Sequence, residues 1–294
     1  MAFAAIISST SAAIGFTKWM MNDSGPTGRL PVLFVGHGSP LHAIQDDPFS
    51  RKLGELGRSI ERPRAILCVS AHWMTDGSWV THMPTPKTIH DFYGFPKPLF
   101  DVRYPAQGSP ELADVIRKEV HDPEIHNDDD SWGLDHGTWS VLKHMYPRAD
   151  IPVLQLSIDL AQSPAHHYRL GQRLRALRDQ GVLIIGSGNV VHNLRQIDFD
   201  PSAKPYDWAV EFDEWVKARL LRADHDALIN DATATTAGRL SIPSPDHWIP
   251  LLYVLGASDP QDRLKFEYEG IEHGSISMRC VSYGVGDVSA ESES

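Results

Sequence analysis

The stretches that decide the fold are PVLFVGHGSP at residues 31–40, AILCVSAHWM at residues 65–74 and GVLIIGSGNVVHN at residues 181–193. Each contains an apolar run, rich in β-branched residues and bounded by Gly, Pro or Ser, which is typical of a buried strand. A histidine follows each run: His37, His72 or His192. Ligands of open α/β sheets bind at the carboxyl ends of the strands. The pattern therefore predicts a site where imidazoles from three strands converge.

Further along the chain, strand-like runs alternate with helix-like segments. We predict strands at Val32–Val35, Ala65–Ser70, Trp79–His82, Val153–Ile158, Val182–Ser187 and Ser275–Tyr283. We predict helices at Phe49–Ile60, from Pro110 onward, and at Trp139–Met145, Ala165–Asp179, Tyr206–Leu221 and Ile249–Leu255. A Pro-, Gly- and aromatic-rich loop spans His90–Pro110. This alternation predicts a single α/β domain with a central mixed β-sheet flanked by helices, and with the site at the strand-end rim.

The composition is that of an ordinary globular protein. The chain has 294 residues, of which 41% are hydrophobic and 22% charged, and its net charge is -11. An acidic chain without a basic cluster argues against nucleic acid and anionic membranes as partners. No apolar stretch reaches transmembrane length. Cys68 and Cys280 lie in strand-like runs, which indicates buried thiols in a reducing compartment, and we expect a cytoplasmic protein.

The two ends of the chain differ from its middle. The first basic residue is Lys18, so the apolar N-terminus lacks the positive segment of a secretory signal. We expect residues 1–28 to be a disordered or start-site extension and residues 287–294 a disordered tail. Residues 29–286 then form the catalytic domain. The oligomeric state stays open between a monomer and a small homo-oligomer.

Two further histidines have similar settings. His136 lies in DHGTW at a predicted loop-to-helix junction, and His247 lies in PDHW just before an apolar helix. A catalytic mononuclear site needs three or four protein ligands and an open position, so one or two of the five imidazoles remain for proton transfer. Asp135 and Asp246 each precede one of these histidines. They either orient an imidazole or cap a helix.

Taken together, these motifs resemble one family. GHGSP, SAHW, DHGTW, GSGNVVHN and PDHW, in this order and at this spacing, are similar to the 4,5-DOPA extradiol dioxygenase group of the class III, LigB-type, ring-cleaving dioxygenases. The HDFYGFP and YPAQGSPELA segments also match. The resemblance runs from about Leu30 to Gly286, which is nearly the whole chain apart from its ends.

The resemblance implies a non-haem Fe(II) enzyme that uses O₂ to cleave a catechol ring beside its two hydroxyls, giving a ring-opened semialdehyde. It implies one divalent metal ion per chain, with His37, His72 and His247 as ligands. It also implies that His192 is the acid/base, a role that the ordinary histidine pKa near 6.5 suits. His136 would hydrogen-bond substrate or oxygen. Three imidazoles depart from the usual two-histidine, one-carboxylate set and also suit Zn²⁺.

Some alternatives stay open at this point. Tyr93, in an aromatic run with Phe92 and Phe95, is a candidate substrate contact, and core packing of these aromatics is the other interpretation. The same histidines would also serve a zinc hydrolase in which His192 shuttles protons. A third possibility is a non-catalytic binding protein of the Memo type, which shares the class III dioxygenase architecture.

Overall fold

The computed structural model describes residues 26, 28–200 and 202–286, so the predicted N-terminal extension lies almost entirely outside the described residues and the predicted tail wholly so. In chain order the strands are β1 (Val32–Gly36), β2 (Ala65–Thr75), β3 (Ser78–Thr81), β4 (Ile125–Asp128), β5 (Val153–Asp159), β6 (Val182–Gly188), β7 (Leu264–Tyr268), β8 (Ile271–Glu272), β9 (Ile276–Ser277) and β10 (Cys280–Tyr283). The helices are α1 (Pro48–Ser59), α2 (Lys97–Phe100), α3 (Pro110–Glu119), α4 (His136–Met145), α5 (Pro164–Leu174), α6 (Asp207–Leu221), α7 (His225–Asn230), α8 (Thr236–Ser241) and α9 (Ile249–Ala257).

Eight of these strands form one mixed sheet in the order β4-β3-β5-β2-β6-β1-β10-β7. The four central strands β5, β2, β6 and β1 run parallel to one another. At one edge β10 and β7 are antiparallel, and at the other β3 is antiparallel to β5. The short strands β8 and β9 pair separately. The predicted central mixed sheet is confirmed.

Both faces of the sheet are covered, which explains the continuous apolar runs in its central strands. In β1, Val32 and Phe34 face one hydrophobic core, and Leu33 and Val35 face the other. Helices α3, α5, α6 and α9 contribute to the first core, while α1 and α4 contribute to the second. The fold is therefore a three-layer α/β domain in which the carboxyl ends of the four central parallel strands lie on the same side of the sheet.

Several elements differ from the sequence prediction. Strand β2 continues to Thr75, so His72 lies inside it, within the stretch between Val69 and Met74 where the register with β5 shifts. The predicted strand at Ser275–Tyr283 is two strands, β9 and β10, which pair in different sheets. The predicted helix Ala165–Asp179 is α-helical only to Leu174 and then continues as a 3-10 helix to Gln180.

Six of the described elements were not predicted from the sequence: β4, β7, β8, α7, α8 and α2, which lies within the predicted loop His90–Pro110. Strand β4 reads IHND and β7 reads LKFEY. These are short strands at the two edges of the sheet, where polar side chains face solvent and the apolar signal is weak. Helices α7 and α8 have six residues each, too few for a clear helical period.

Both cysteines are buried and unpaired, as predicted. None of the helices in the described part of the chain is long and apolar enough to cross a membrane.

Candidate metal centre and active site

Five histidines meet at the carboxyl edge of the central strands. His37 directly follows β1, His72 lies in β2, and His192 lies in the loop after β6. His136 is the first residue of α4, and His247 lies two residues before α9. The ring centroids of His37, His72 and His247 are 5.0–5.1 Å apart. The structure thus brings together all five histidines that the sequence singled out.

Glycines let His247 approach the strand ends. A Cβ atom at Gly188, the last residue of β6, would clash with the carbonyl oxygen of His247. That oxygen accepts a hydrogen bond of 3.1 Å from the backbone amide of Asn189. The missing side chain therefore allows the segment before α9 to lie directly against β6, which carries His247 to the ends of β1 and β2.

His37, His72 and His247, here called the three-histidine group, have ligating nitrogens that all lie within 4.8 Å of one another. Burial lowers the pKa of each imidazole well below its usual value, and the neighbouring imidazoles lower it further. All three rings are therefore neutral near pH 7. Neutral imidazole is the form of histidine that binds metal ions.

The spacing of the nitrogens fits one metal ion. His37 Nε2 and His72 Nε2 are 3.1 Å apart. With metal–nitrogen bonds of about 2.0–2.1 Å, two nitrogens on one ion at angles between about 90° and 110° lie roughly 2.9–3.4 Å apart. The residues present therefore suit a small divalent transition metal, and three ligands leave coordination positions open for substrate.

Asp91 anchors His136 and was not predicted from the sequence. Its carboxylate accepts hydrogen bonds from the His136 amide at 2.9 Å and from His136 Nδ1 at 2.8 Å, and it lies 3.6 Å from His72 Nδ1. Burial would raise the pKa of Asp91, but the hydrogen bonds and the two histidines outweigh it and lower the pKa to about 2. Asp91, His72 and His136 form a second group whose ligand atoms lie within 4.8 Å. The only sequence signal for Asp91 was its place in the HDFYGFP motif.

His192 lies face to face with His247. Their ring centroids are 3.4 Å apart and the rings are inclined by 9°. The His192 amide donates to the Ser241 carbonyl at 2.9 Å, which fixes the loop at this point. Burial lowers the pKa of His192 to about 4, although nearby Asp246 acts in the opposite direction. His192 is therefore a neutral base at pH 7, whereas from the sequence we predicted a group that titrates near 6.5.

The two aspartates beside the histidines have different roles. Asp135 caps α4 by accepting from the Thr138 amide, and it also accepts from Ser70 and Gln155. Of the two roles predicted for Asp135, the helix cap is therefore the one observed. Asp246 does not cap α9, and its carboxylate lies 3.6 Å from His247 Nε2.

The aromatic loop places Tyr93 and Phe92 differently. The Tyr93 side chain is 92% exposed, outside the histidine cluster. Phe92 packs edge-on against His136, with ring centroids 5.6 Å apart, and also contacts Phe95 and Phe100. Core packing is therefore the observed role of Phe92 and Phe95.

This architecture and site belong to a known class of enzyme. Residues 31–286 match the family described as the catalytic LigB subunit of aromatic ring-opening dioxygenase. The chain belongs to this LigB family and is a class III extradiol ring-cleaving dioxygenase. Dioxygenases of this family are metal-dependent, in keeping with the histidine and aspartate groups at the sheet edge.

Individual relatives are similar over most of their length. The 4,5-DOPA dioxygenase extradiol of Escherichia coli (strain K12) is 48% identical over 259 residues, which are 87% of this chain and 95% of that protein. The 4,5-DOPA dioxygenase extradiol of Beta vulgaris is 38% identical over 257 residues, covering 85% and 93%. A crystal structure of an uncharacterized protein from Escherichia coli K12 superposes with a TM-score of 0.77 at 44% identity, covering 87% of this chain and 100% of that one.

Proposed function

We propose that this protein is an Fe(II)-dependent dioxygenase that opens the ring of a catechol, either DOPA or a close analogue, beside its two hydroxyls. The observation that carries the proposal is the convergence of three neutral imidazoles on one metal-sized position, with His192 stacked beside them. The relatives named 4,5-DOPA dioxygenase extradiol support the substrate class. Residues 29–286 form the catalytic domain, and the protein acts in the cytoplasm without nucleic-acid or membrane partners.

The three-histidine group would hold one divalent ion per chain. A bound Fe(II) would supply coordination positions for catechol and O₂, acidify the catechol hydroxyls and provide the redox chemistry of the reaction. The same neutral imidazoles suit Zn²⁺, which has no redox chemistry. Zinc-loaded protein is therefore expected to be inactive toward O₂.

His192 acts as the acid/base. Because its imidazole is neutral at pH 7, its ring nitrogen can accept the proton of a catechol hydroxyl. The resulting imidazolium is a strong acid in this buried setting and returns the proton later in the cycle. The two roles are thus linked, since the acid form arises only after His192 has acted as a base.

His136 is the second active-site histidine. The ionised Asp91 accepts from His136 Nδ1, so that nitrogen carries a proton and Nε2 remains for a hydrogen bond to substrate or oxygen. A contact between Tyr93 and the substrate stays a prediction. The exposed phenol would need to move toward the histidines when catechol binds.

Oxygen uptake by metal-reconstituted protein tests this proposal. Metal-free protein is loaded anaerobically with Fe(II) or with Zn(II), mixed with DOPA or with catechols lacking the amine or the carboxylate, and exposed to air. We expect one O₂ consumed per catechol, a coloured product that has gained two oxygen atoms, and no uptake with Zn(II).

Two outcomes would overturn the proposal. Ester or amide hydrolysis by the zinc form, without oxygen uptake by the iron form, would indicate a zinc hydrolase. Absence of turnover with every catechol, despite full iron loading, would indicate a binding protein of the Memo type. The match to a family of catalytic subunits favours the dioxygenase over both.

A further inference from the structure

Two members of the three-histidine group each contact a polar residue at the end of β6. Ser187 contacts His37, and Asn189 contacts His247. Ser187 and Asn189 are 0% and 1% exposed. They are two residues apart, with Gly188 between them. The same GSGN segment that carries the chain toward His192 therefore also touches the far side of two rings in the three-histidine group.

The hydrogen bonds of Ser187 determine the proton position on His37. The Ser187 hydroxyl donates to the Gly137 carbonyl oxygen at 2.6 Å. A hydroxyl has one proton, and a carbonyl oxygen can only accept. At the 3.0 Å contact with His37 Nδ1, Ser187 is therefore the acceptor and the imidazole is the donor. His37 then carries its proton on Nδ1, and its Nε2 has a free lone pair.

The hydrogen bonds of Asn189 lead to the same result for His247. The Asn189 side-chain nitrogen donates to the Ser277 carbonyl oxygen at 2.8 Å, which sets the orientation of the amide. Its oxygen, Oδ1, lies 3.2 Å from His247 Nδ1 and can only accept. His247 therefore also carries its proton on Nδ1 and presents an unprotonated Nε2.

We infer that Ser187 and Asn189 are positioning residues that hold His37 and His247 in the Nδ1–H tautomer, so that both rings present Nε2 to the same metal ion. The inference rests on the proposed metal site. In this tautomer the unprotonated Nε2 of His37 faces Nε2 of His72 at 3.1 Å.

His72 is held differently. Its Nδ1 lies 3.6 Å from the Asp91 carboxylate, which is beyond hydrogen-bond distance. Asp91 instead makes its short bonds to His136. The tautomer control that we infer therefore applies to two of the three proposed ligands, and both controlling residues come from β6 and the residue after it.

Nitrogen NMR of the metal-free, ¹⁵N-histidine-labelled protein tests the tautomers directly. We expect wild-type His37 and His247 to show the Nδ1–H pattern. Ser187→Ala should disturb that pattern at His37 alone, and Asn189→Leu at His247 alone. Asn189→Asp keeps an acceptor beside His247 Nδ1 and should restore the wild-type tautomer, although it loses the bond to Ser277.

Metal affinity is the second readout, and it does not depend on catechol turnover. Loss of a residue that orients a metal-ligating histidine costs about 10–100-fold in affinity. We expect Ser187→Ala and Asn189→Leu each to weaken binding of Zn²⁺ and Co²⁺ by that factor in chelator competition. Ser282→Ala is the matched control, since Ser282 is also a fully buried serine of this sheet, but its hydroxyl donates to Glu267.

The outcomes separate this inference from the proposed function. If wild-type protein binds neither Zn²⁺ nor Co²⁺, the proposed metal site itself is wrong. If wild-type protein binds both ions and Ser187→Ala leaves tautomer and affinity unchanged, the positioning role is wrong while the site stands. A fall in affinity with an unchanged tautomer would also overturn the inference, because it would indicate a merely structural role. The small Ser187→Ala and Asn189→Asp changes keep the test decisive if Asn189→Leu does not fold.

Discussion

Replacement of His192 is the sharpest test of how the five histidines divide their work. We expect His192→Ala to lower turnover by about 10²–10⁴-fold, the usual contribution of general acid–base catalysis. This corresponds to about 2.7–5.4 kcal/mol of transition-state stabilisation at 1.36 kcal/mol per tenfold change. His192→Gln should lose as much, because an amide can hydrogen-bond but cannot carry the proton.

The lowered pKa of His192 adds a pH signature. With a pKa of about 4, His192 is fully in its base form at pH 7, since only about one molecule in a thousand is protonated three units above a pKa. We therefore expect kcat/KM of the iron-loaded wild-type enzyme to stay level from pH 7 down to about pH 5 and to fall near pH 4. A fall near pH 6.5 would contradict the depressed pKa.

The assay combines oxygen uptake at saturating catechol with elemental analysis of the same samples. His192→Ala should keep its iron, because the three-histidine group is intact. His126→Gln serves as the control, since His126 is a partly exposed histidine on β4, away from the cluster. If His192→Ala loses its metal, the site has four histidine ligands, and the acid/base role passes to His136.

Three further predictions concern the ligands, the product and the fold. Alanine at any one position of the three-histidine group should abolish stoichiometric metal binding while the circular dichroism spectrum stays native. Full metal content in all three variants would refute the assignment of these histidines as metal ligands. Chelation through both hydroxyl oxygens should give a ring-opened semialdehyde, and recovery of a dicarboxylic acid by mass spectrometry would instead indicate cleavage between the hydroxyls. His42 lies 2.7 Å from Asp47 and 3.0 Å from Glu272. Burial opposes protonation of His42, but these carboxylates outweigh it and raise its pKa. The pairing of protonated His42 with these carboxylates therefore stabilises the folded protein fully below pH 6.5. This stabilisation is lost as the pH rises through the folded-state pKa of His42. Glu272→Gln should accordingly destabilise the protein by about 1 kcal/mol more at pH 6 than at pH 9 in urea unfolding, and an equal effect at both pH values would refute this.

Local pattern was sufficient for most of the fold. The apolar runs at β1, β5 and β6 predicted strands within a residue or two of their observed ends, because a strand buried on both faces must be apolar throughout. The same runs located His37 directly after β1 and His192 in the loop that follows β6. The resemblance to the family then supplied the suggested roles of the five histidines, including His247, whose local sequence carries only a helix-start signal.

Only the tertiary structure determined which atoms meet. Asp91 reaches His136 from 45 positions away, and the His247 segment lies against Gly188, both through contacts that no local period encodes. Asp135, a candidate partner for an imidazole by sequence, is a helix cap, whereas Ser187 and Asn189 touch the proposed ligands. Apolar periodicity depends on which face of an element is buried, so it can be read from the local sequence. The proton positions on the histidines depend on strand order and on helix packing across the sheet, which arise only when distant segments come together.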